Sequence, residues 1–226
     1  MTEMMTRSEL DEIINELRTA YPGGDKCGLR FGSAVQLLVS TILSAQCTDV
    51  RVNKVTPVLF ARFPDAQALA EADPAELEAL IRSCGLYHTK AANIKKCCAQ
   101  LMERYGGEVP DSLDALTELA GTGRKTANLV MGEWFGEPAY VIDTHVKRIW
   151  ALLGISAGTT PETIEKDLRE LIPPEDPRAA DALALSHLLI THGRAICVAG
   201  RPDCGNCPIS AHCAHFKHLQ EGSADV

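Results

Sequence analysis

The chain of 226 residues is 46% apolar and 23% charged, the balance of an ordinary globular protein with room for one large or two small domains. Its longest apolar run, Ala34 to Ala45, is interrupted by Gln36, Ser40 and Thr41 and is too short to cross a bilayer; with no basic leader before it, the sequence reads as cytoplasmic, with no membrane partner. The net charge of −8 speaks mildly against a polyanionic partner, although a local cationic patch would outweigh it.

In chain order, Leu10, Ile13, Ile14 and Leu17 recur at helical spacing and predict an amphipathic helix. Residues 35–45 have no polar face and predict a helix buried on all sides. Asp73 to Gly85 carries helix punctuation: Asp73 as cap, Pro74 at the first position, Glu76 to complete a capping box and Gly85 to end it. From Arg82 to Arg104 five basic residues (Arg82, Lys90, Lys95, Lys96 and Arg104) stand against one acid, Glu103; the plainer reading is a solvated helix face. Thr160 and Pro161 open another helix, with Ile164, Leu168, Leu171 and Ile172 on one face and two prolines to stop it. No sustained alternation predicts a strand, and residues 139–142 read as a connector. The class is all-α, with about ten helices. The first few residues and the tail after Lys217 read as disordered.

Near the middle, Leu113, Leu116 and Leu119 form one stripe, followed by Gly121-Thr122-Gly123 and a second helix with Ala127, Val130, Met131 and Trp134 inward. This is a helix-hairpin-helix, whose glycine turn and helix N-terminus offer main-chain amides to an anion. A phosphate-binding P-loop would need glycine where Arg124 stands, and a dinucleotide fingerprint would need glycine at Thr126; both also need a preceding strand. A plain helix–helix turn remains open on this motif alone. Asp143-Thr144-His145 reads as a helix start capped by the aspartate. A carboxylate returned close to Lys125 would also make a nucleophile-and-base arrangement.

Nine cysteines without an export signal argue against a disulfide framework. Cys197, Cys204, Cys207 and Cys213 put four thiolates within 17 residues at x₆, x₂ and x₅ intervals, a set suited to zinc or to an iron–sulfur cluster. One short knuckle and two long arms favour the larger cluster. Cys27, Cys47, Cys84, Cys97 and Cys98 read as buried structural thiols.

The order hairpin, Lys125, Asp143, cysteine cluster, with these spacings, closely resembles the endonuclease III family, bifunctional DNA glycosylases of the helix-hairpin-helix superfamily. "LSAQCTDVRVNK" at 43–54, "GLYHTKAANI" at 85–94, "VIDTHVKR" at 141–148 and "THGRAIC" at 191–197 carry the same resemblance, which spans roughly residues 26 to 216. It implies two helical domains flanking a DNA groove: a six-helix domain at 27–137 with the hairpin, and a cluster domain built from 1–26 and 138–226. It implies Lys125 as nucleophile, Asp143 as catalytic carboxylate, and the four cysteines as ligands of a [4Fe-4S] cluster. Gln46 would fill the hole left by a flipped nucleotide and Leu86 would wedge the stack. His88, Gly121, Gly123, Arg124, His145 and Arg201 would make further DNA contacts. The implied activity is base-excision repair: removal of oxidised pyrimidines through a lysine Schiff base, then β-elimination at the abasic site. The implied enzyme is a monomer acting on double-stranded DNA, nucleoid-associated if bacterial.

Departures from the family pattern stand out. Ala120 and Thr122 occupy places where relatives usually carry proline and valine, and a lost proline should loosen the turn. Thr117 stands where a glutamate is common, His88 replaces a small polar residue, and Asp203 sits in a loop that is usually more basic. Two other readings compete. The monofunctional mismatch adenine glycosylases typically place a hydroxyl residue where Lys125 stands, and usually add a further domain. A non-catalytic DNA-binding module or a redox sensor would leave Lys125 and Asp143 without a purpose.

Overall fold

The structure, a computed structural model, describes residues 5–222. Among these there are twelve α-helices and four short 3₁₀ turns, with no strand. No described helix is long and apolar enough to cross a membrane. The chain forms two compact units: Cys27–Glu137, and the described residues on either side of it, up to Lys26 and from Pro138.

The unit Cys27–Glu137 holds α2 (Ala34–Ser44), α3 (Asp49–Arg62), α4 (Ala66–Glu71), α5 (Pro74–Ile81), α6 (Tyr87–Tyr105), α7 (Leu113–Thr117) and α8 (Arg124–Phe135). Ser33, Thr48, Asp65, Asp73 and Ser112 each accept a backbone N–H three residues on, which satisfies a donor the helix cannot. The long helix α6 packs against α2, α4 and α5. Its inward stripe is Lys90, Ala91, Ile94, Cys97, Cys98 and Leu101, an i, i+3, i+4 pattern with a lysine at its head. The basic run is therefore not one solvated face. Lys90 and Lys95 turn onto main-chain carbonyls, and Arg104 pairs with Glu118 at 3.1 Å.

Four expectations need correcting in this unit, the first being that it holds seven α-helices rather than six, because α4 and α7 form as short separate turns of helix. Glu76 does not complete a capping box; Arg62 takes its carboxylate in a two-pronged pair at 2.5 and 2.9 Å. Trp134 is 43% exposed rather than inward, edge-on to Phe31. Cys27 and Cys47 are only half-buried, unlike Cys84, Cys97 and Cys98.

The other unit contains α1 (Arg7–Ala20), α9 (Thr144–Leu153), α10 (Pro161–Leu171), α11 (Ala182–Ala195) and α12 (Ala214–Gly222). Its core joins Leu10, Ile13, Ile14 and Leu17 of α1 to Val146, Ile149 and Trp150 of α9 and to Leu185, Leu188 and Leu189 of α11. The connector at 139–142 is buried; Tyr140 Oη donates to Ile172 O at 2.7 Å, and Ser186 Oγ accepts from Val141 N. Residues after Lys217 continue as helix α12 to Gly222, against the expected disorder. The expected disorder at the chain start falls largely on residues 1–4, outside the described residues, as does the end of the tail, 223–226.

An arginine fork from the 3₁₀ turn Pro177–Asp181 grips α1 and ties the two sequence-distant parts of this unit together. Arg178 Nε and Nη2 each donate at 2.7 Å to Asp11, and Nη1 reaches Asp176 at 3.2 Å. The guanidinium holds the Asp11 carboxyl below its ordinary value, and Asp176 is lowered by the Arg178 main-chain N–H and then its side chain. Because the folded values are depressed, this stability is present above the unfolded pKa and is lost as pH falls through the folded ones. Arg178→Met should therefore lower the urea midpoint at pH 7. The gap to the wild-type protein should close as pH drops below about 4. A gap that persists unchanged at low pH would contradict this.

Candidate functional site

The hairpin turn is built for glycine at one position. Gly121 has φ +77°, and a Cβ there would lie 2.9 Å from Asn93 Cβ, so both conformation and space demand it. Gly123 is different: it caps α8 in an extended conformation (φ −86°), with nothing near its missing side chain. Gly123 makes no side-chain cap bond, so the main-chain amides in the first turn of α8 are not covered by a cap residue. An approaching anion finds an open helix N-terminus there.

The loosening expected from the missing proline at Ala120 is opposed by hydrogen bonds from α6. Gln100 Oε1, from α6, accepts the Ala120 N–H at 2.8 Å, and Gln100 Nε2 donates to Glu118 O at 3.4 Å. An amide side chain fixes by hydrogen bonds what a pyrrolidine ring would fix by covalent geometry. Thr122 fares less well. It is buried, and its Oγ1 finds no oxygen or nitrogen partner. Its hydroxyl lies by the Cys97 thiol, which burial pushes up and a side-chain hydrogen bond from Thr122 pulls down by less, and sulfur is a weak acceptor. Thr117 Oγ1 donates to Asp114 O within its own helix.

Lys125 is the second residue of α8 and is exposed. Its amine has no hydrogen-bond or ion-pair partner among the described residues of its own unit. Arg124, beside it, is also exposed but is engaged in an interaction. Asp143 lies in the other unit, half-buried, as the cap of α9. One oxygen, Oδ1, accepts both the His145 and the Val146 N–H at 2.8 Å. The capping task is thus confined to a single oxygen.

Gln46 and Leu86 are both exposed. His88, also exposed, holds Glu78 Oε2 at 2.7 Å through Nδ1. His145 Nδ1 lies 3.2 Å from Arg148 Nη2. Gly193 of α11 must be glycine because a Cβ would meet His145 at 2.8 Å. Arg201 is exposed in the loop after Gly200, and Asp203 of the same loop accepts from Asn206 Nδ2 at 3.0 and 3.2 Å.

Cys197, Cys204, Cys207 and Cys213 are half-buried and line one cavity of about 30 Å³, walled by Ile149, Leu153 and Ile209. Among the described residues, no three of these sulfurs lie within 4.8 Å of one another. Burial first, then neighbouring cysteines, pushes Cys207 up to about 11. Two residues that local motifs did not single out complete the surroundings. His192 is buried and held near a pKa of about 4 by burial, reinforced by Arg148, so its ring is neutral. Its Nε2 lies 3.5 Å from Cys207 Sγ, and Nδ1 meets Tyr21 Oη at 2.8 Å. Arg148 Nη2 donates to Cys197 O at 2.5 Å and to Gly193 O at 3.2 Å.

Comparison with known proteins places this geometry. Residues 39–174 match the model of the HhH-GPD superfamily of base excision DNA repair proteins. Endonuclease III of Synechocystis sp. is 49% identical over 203 residues, covering 89% of this chain and 90% of that protein. The chain belongs to the endonuclease III family. Endonuclease III of Escherichia coli K12 is 37% identical over 211 residues, 93% of this chain and 97% of the relative. Two solved structures, a non-covalent endonuclease III–DNA complex and a trapped endonuclease III–DNA covalent intermediate, each superpose with a TM-score of 0.84. Each is 38% identical and covers 96% of this chain and 100% of theirs.

Within an endonuclease III family hairpin, the threonine at 122 is the less favourable of the two changes. Thr122→Val keeps the shape and removes a buried hydroxyl whose partner is at best a thiol, so it should stabilise the protein by about 1 kcal/mol. Urea denaturation measures this, and a destabilised variant would show that the hydroxyl is satisfied in solution.

Proposed function

We propose that this chain is a base-excision repair DNA glycosylase with abasic-site lyase activity, acting on double-stranded DNA that carries oxidised pyrimidines. The observation that carries the reading is an exposed amine, Lys125, placed directly after an uncapped glycine turn. The turn's amides would hold a backbone phosphate, which aims the next residue at the sugar. The relative trapped as a covalent DNA intermediate supports the same chemistry.

The Lys125 amine, once neutral, attacks C1′ of an extruded nucleotide. The C1′–N bond breaks and the base leaves with its electron pair, taking up a proton. The ring opens to a Schiff base, and loss of the C2′ proton then breaks the 3′ C–O bond by β-elimination. Asp143 has one oxygen fixed by two main-chain N–H groups, which leaves Oδ2 to accept a proton or to face positive charge developing on the sugar. Gln46 and Leu86 would replace the extruded nucleotide in the stack, where extrusion costs a few kcal/mol.

The four cysteines fit a [4Fe-4S] cluster. A single zinc at about 2.3 Å from each sulfur would draw the four to within about 4 Å of one another. The four line one cavity, and one short knuckle with two long arms supports the larger group. Bound, it would cross-link the C-terminal loop onto α9 and α11, displacing thiol protons as it forms. Neutral His192 would direct an N–H toward Cys207.

Borohydride reduction in the presence of DNA containing an oxidised pyrimidine should trap the wild-type protein covalently. Lys125→Ala should abolish the adduct, and an adduct that survives would refute the assignment. A mismatch adenine glycosylase or a simple DNA binder would give none with either protein. Elemental analysis of the purified protein should give about four irons with matching labile sulfide. Stoichiometric zinc without iron would reject the cluster.

A further inference from the structure

Among the described residues, two non-glycine residues have positive φ: Gln46 at 53° and Leu86 at 48°. Left-handed backbone is strained for residues with a Cβ, so something nearby must impose it. Gln46 follows Ala45 (φ −56°, ψ 113°) in a turn closed by Cys47 N donating to Ser44 O at 3.0 Å. That is the pattern of a type II turn, whose third position favours glycine or asparagine. Leu86 follows Gly85 and opens α6 with no side-chain cap, its side chain left exposed.

Beneath both lies Lys90, only 3% exposed. Its Nζ donates at 2.8 Å to Leu43 O, three residues before Gln46, and at 2.8 Å to Cys84 O, two residues before Leu86. Leu43 is in the last turn of α2, where carbonyls lack helical partners and the dipole is negative. A buried ammonium with two carbonyl acceptors is a strong, charge-assisted clamp, and its loss would strand both.

We infer that Lys90 is a positioning residue for nucleotide extrusion: one amine sets the spacing of the Gln46 and Leu86 loops and holds both in their left-handed conformations. The inference rests on the proposed glycosylase reading, in which these two side chains enter the DNA stack. The same helix carries its own comparison. Lys95 Nζ donates to Ala70 O and Ala72 O, the same chemistry at a place with no left-handed residue.

The test compares Lys90→Met with Lys95→Met by single-turnover rates on two substrates, at temperatures where circular dichroism shows both variants folded. An intact lesion in a duplex must be unstacked, whereas a preformed abasic site has no base to extrude. Lys90→Met should slow excision of the intact lesion on the order of tenfold to a hundredfold while changing abasic-site cleavage by a few fold at most. Lys95→Met should change both rates by similar, small factors. Equal losses on both substrates for Lys90→Met, no loss on either, or the same split in Lys95→Met would each overturn the inference. If Lys90→Met does not fold, Lys90→Arg takes its place under the same criteria, since it keeps the charge but moves the donors. A wild-type protein that excises nothing and traps nothing would instead refute the glycosylase reading.

Discussion

A helix leaves its first main-chain N–H groups and last carbonyls without internal partners, and an all-helical protein must deal with this at every end. In this chain the way each end is settled, or left unsettled, places the residues to which the proposed chemistry is assigned. Asp143 closes the start of α9 with a single oxygen. The start of α8 has a glycine where a capping side chain would stand, and Lys125 is on that turn. The ends of α2 and α4 are met by the amines of Lys90 and Lys95, both from α6. Arg148 does the same for Gly193 O and Cys197 O, just ahead of the remaining cysteines.

Much of this is legible in sequence because capping is local. Asp73, Thr160 and Asp143 each stand where a short polar side chain precedes an apolar stripe, and each caps as read. The hairpin glycines, the lysine and the cysteine spacing are local too. What local reading misses is set by partners far away in the chain. Glu76 has the right place for a capping box, but Arg62 offers a charged fork, which is the stronger partner. Lys90 and Lys95 look like surface charge until α2 and α4 are folded against α6. Gln100 gives no signal at all, since its partner Ala120 lies 20 residues away.

The cysteine unit shows why polar neighbours matter as much as ligands. His192 sits within the buried packing of α11, with Tyr21, which ends α1, on one ring nitrogen and Cys207 on the other. Burial keeps that ring uncharged, so it can donate through one nitrogen only while accepting through the other. The N-terminal helix thereby reaches the cysteine loop through one ring, besides sharing its apolar core.

The amide of Ala120 has a consequence that a proline at the same place could not have. Proline narrows the choices of the unfolded chain and carries no exchangeable proton. The Ala120–Gln100 bond exists only while the hairpin is docked on α6, and it protects an N–H while it lasts. Deuterium uptake at this one amide therefore clocks how often the turn lifts from the helix. In this protein the motion of the lysine-bearing hairpin has a built-in isotopic readout, one that a proline-bearing relative lacks.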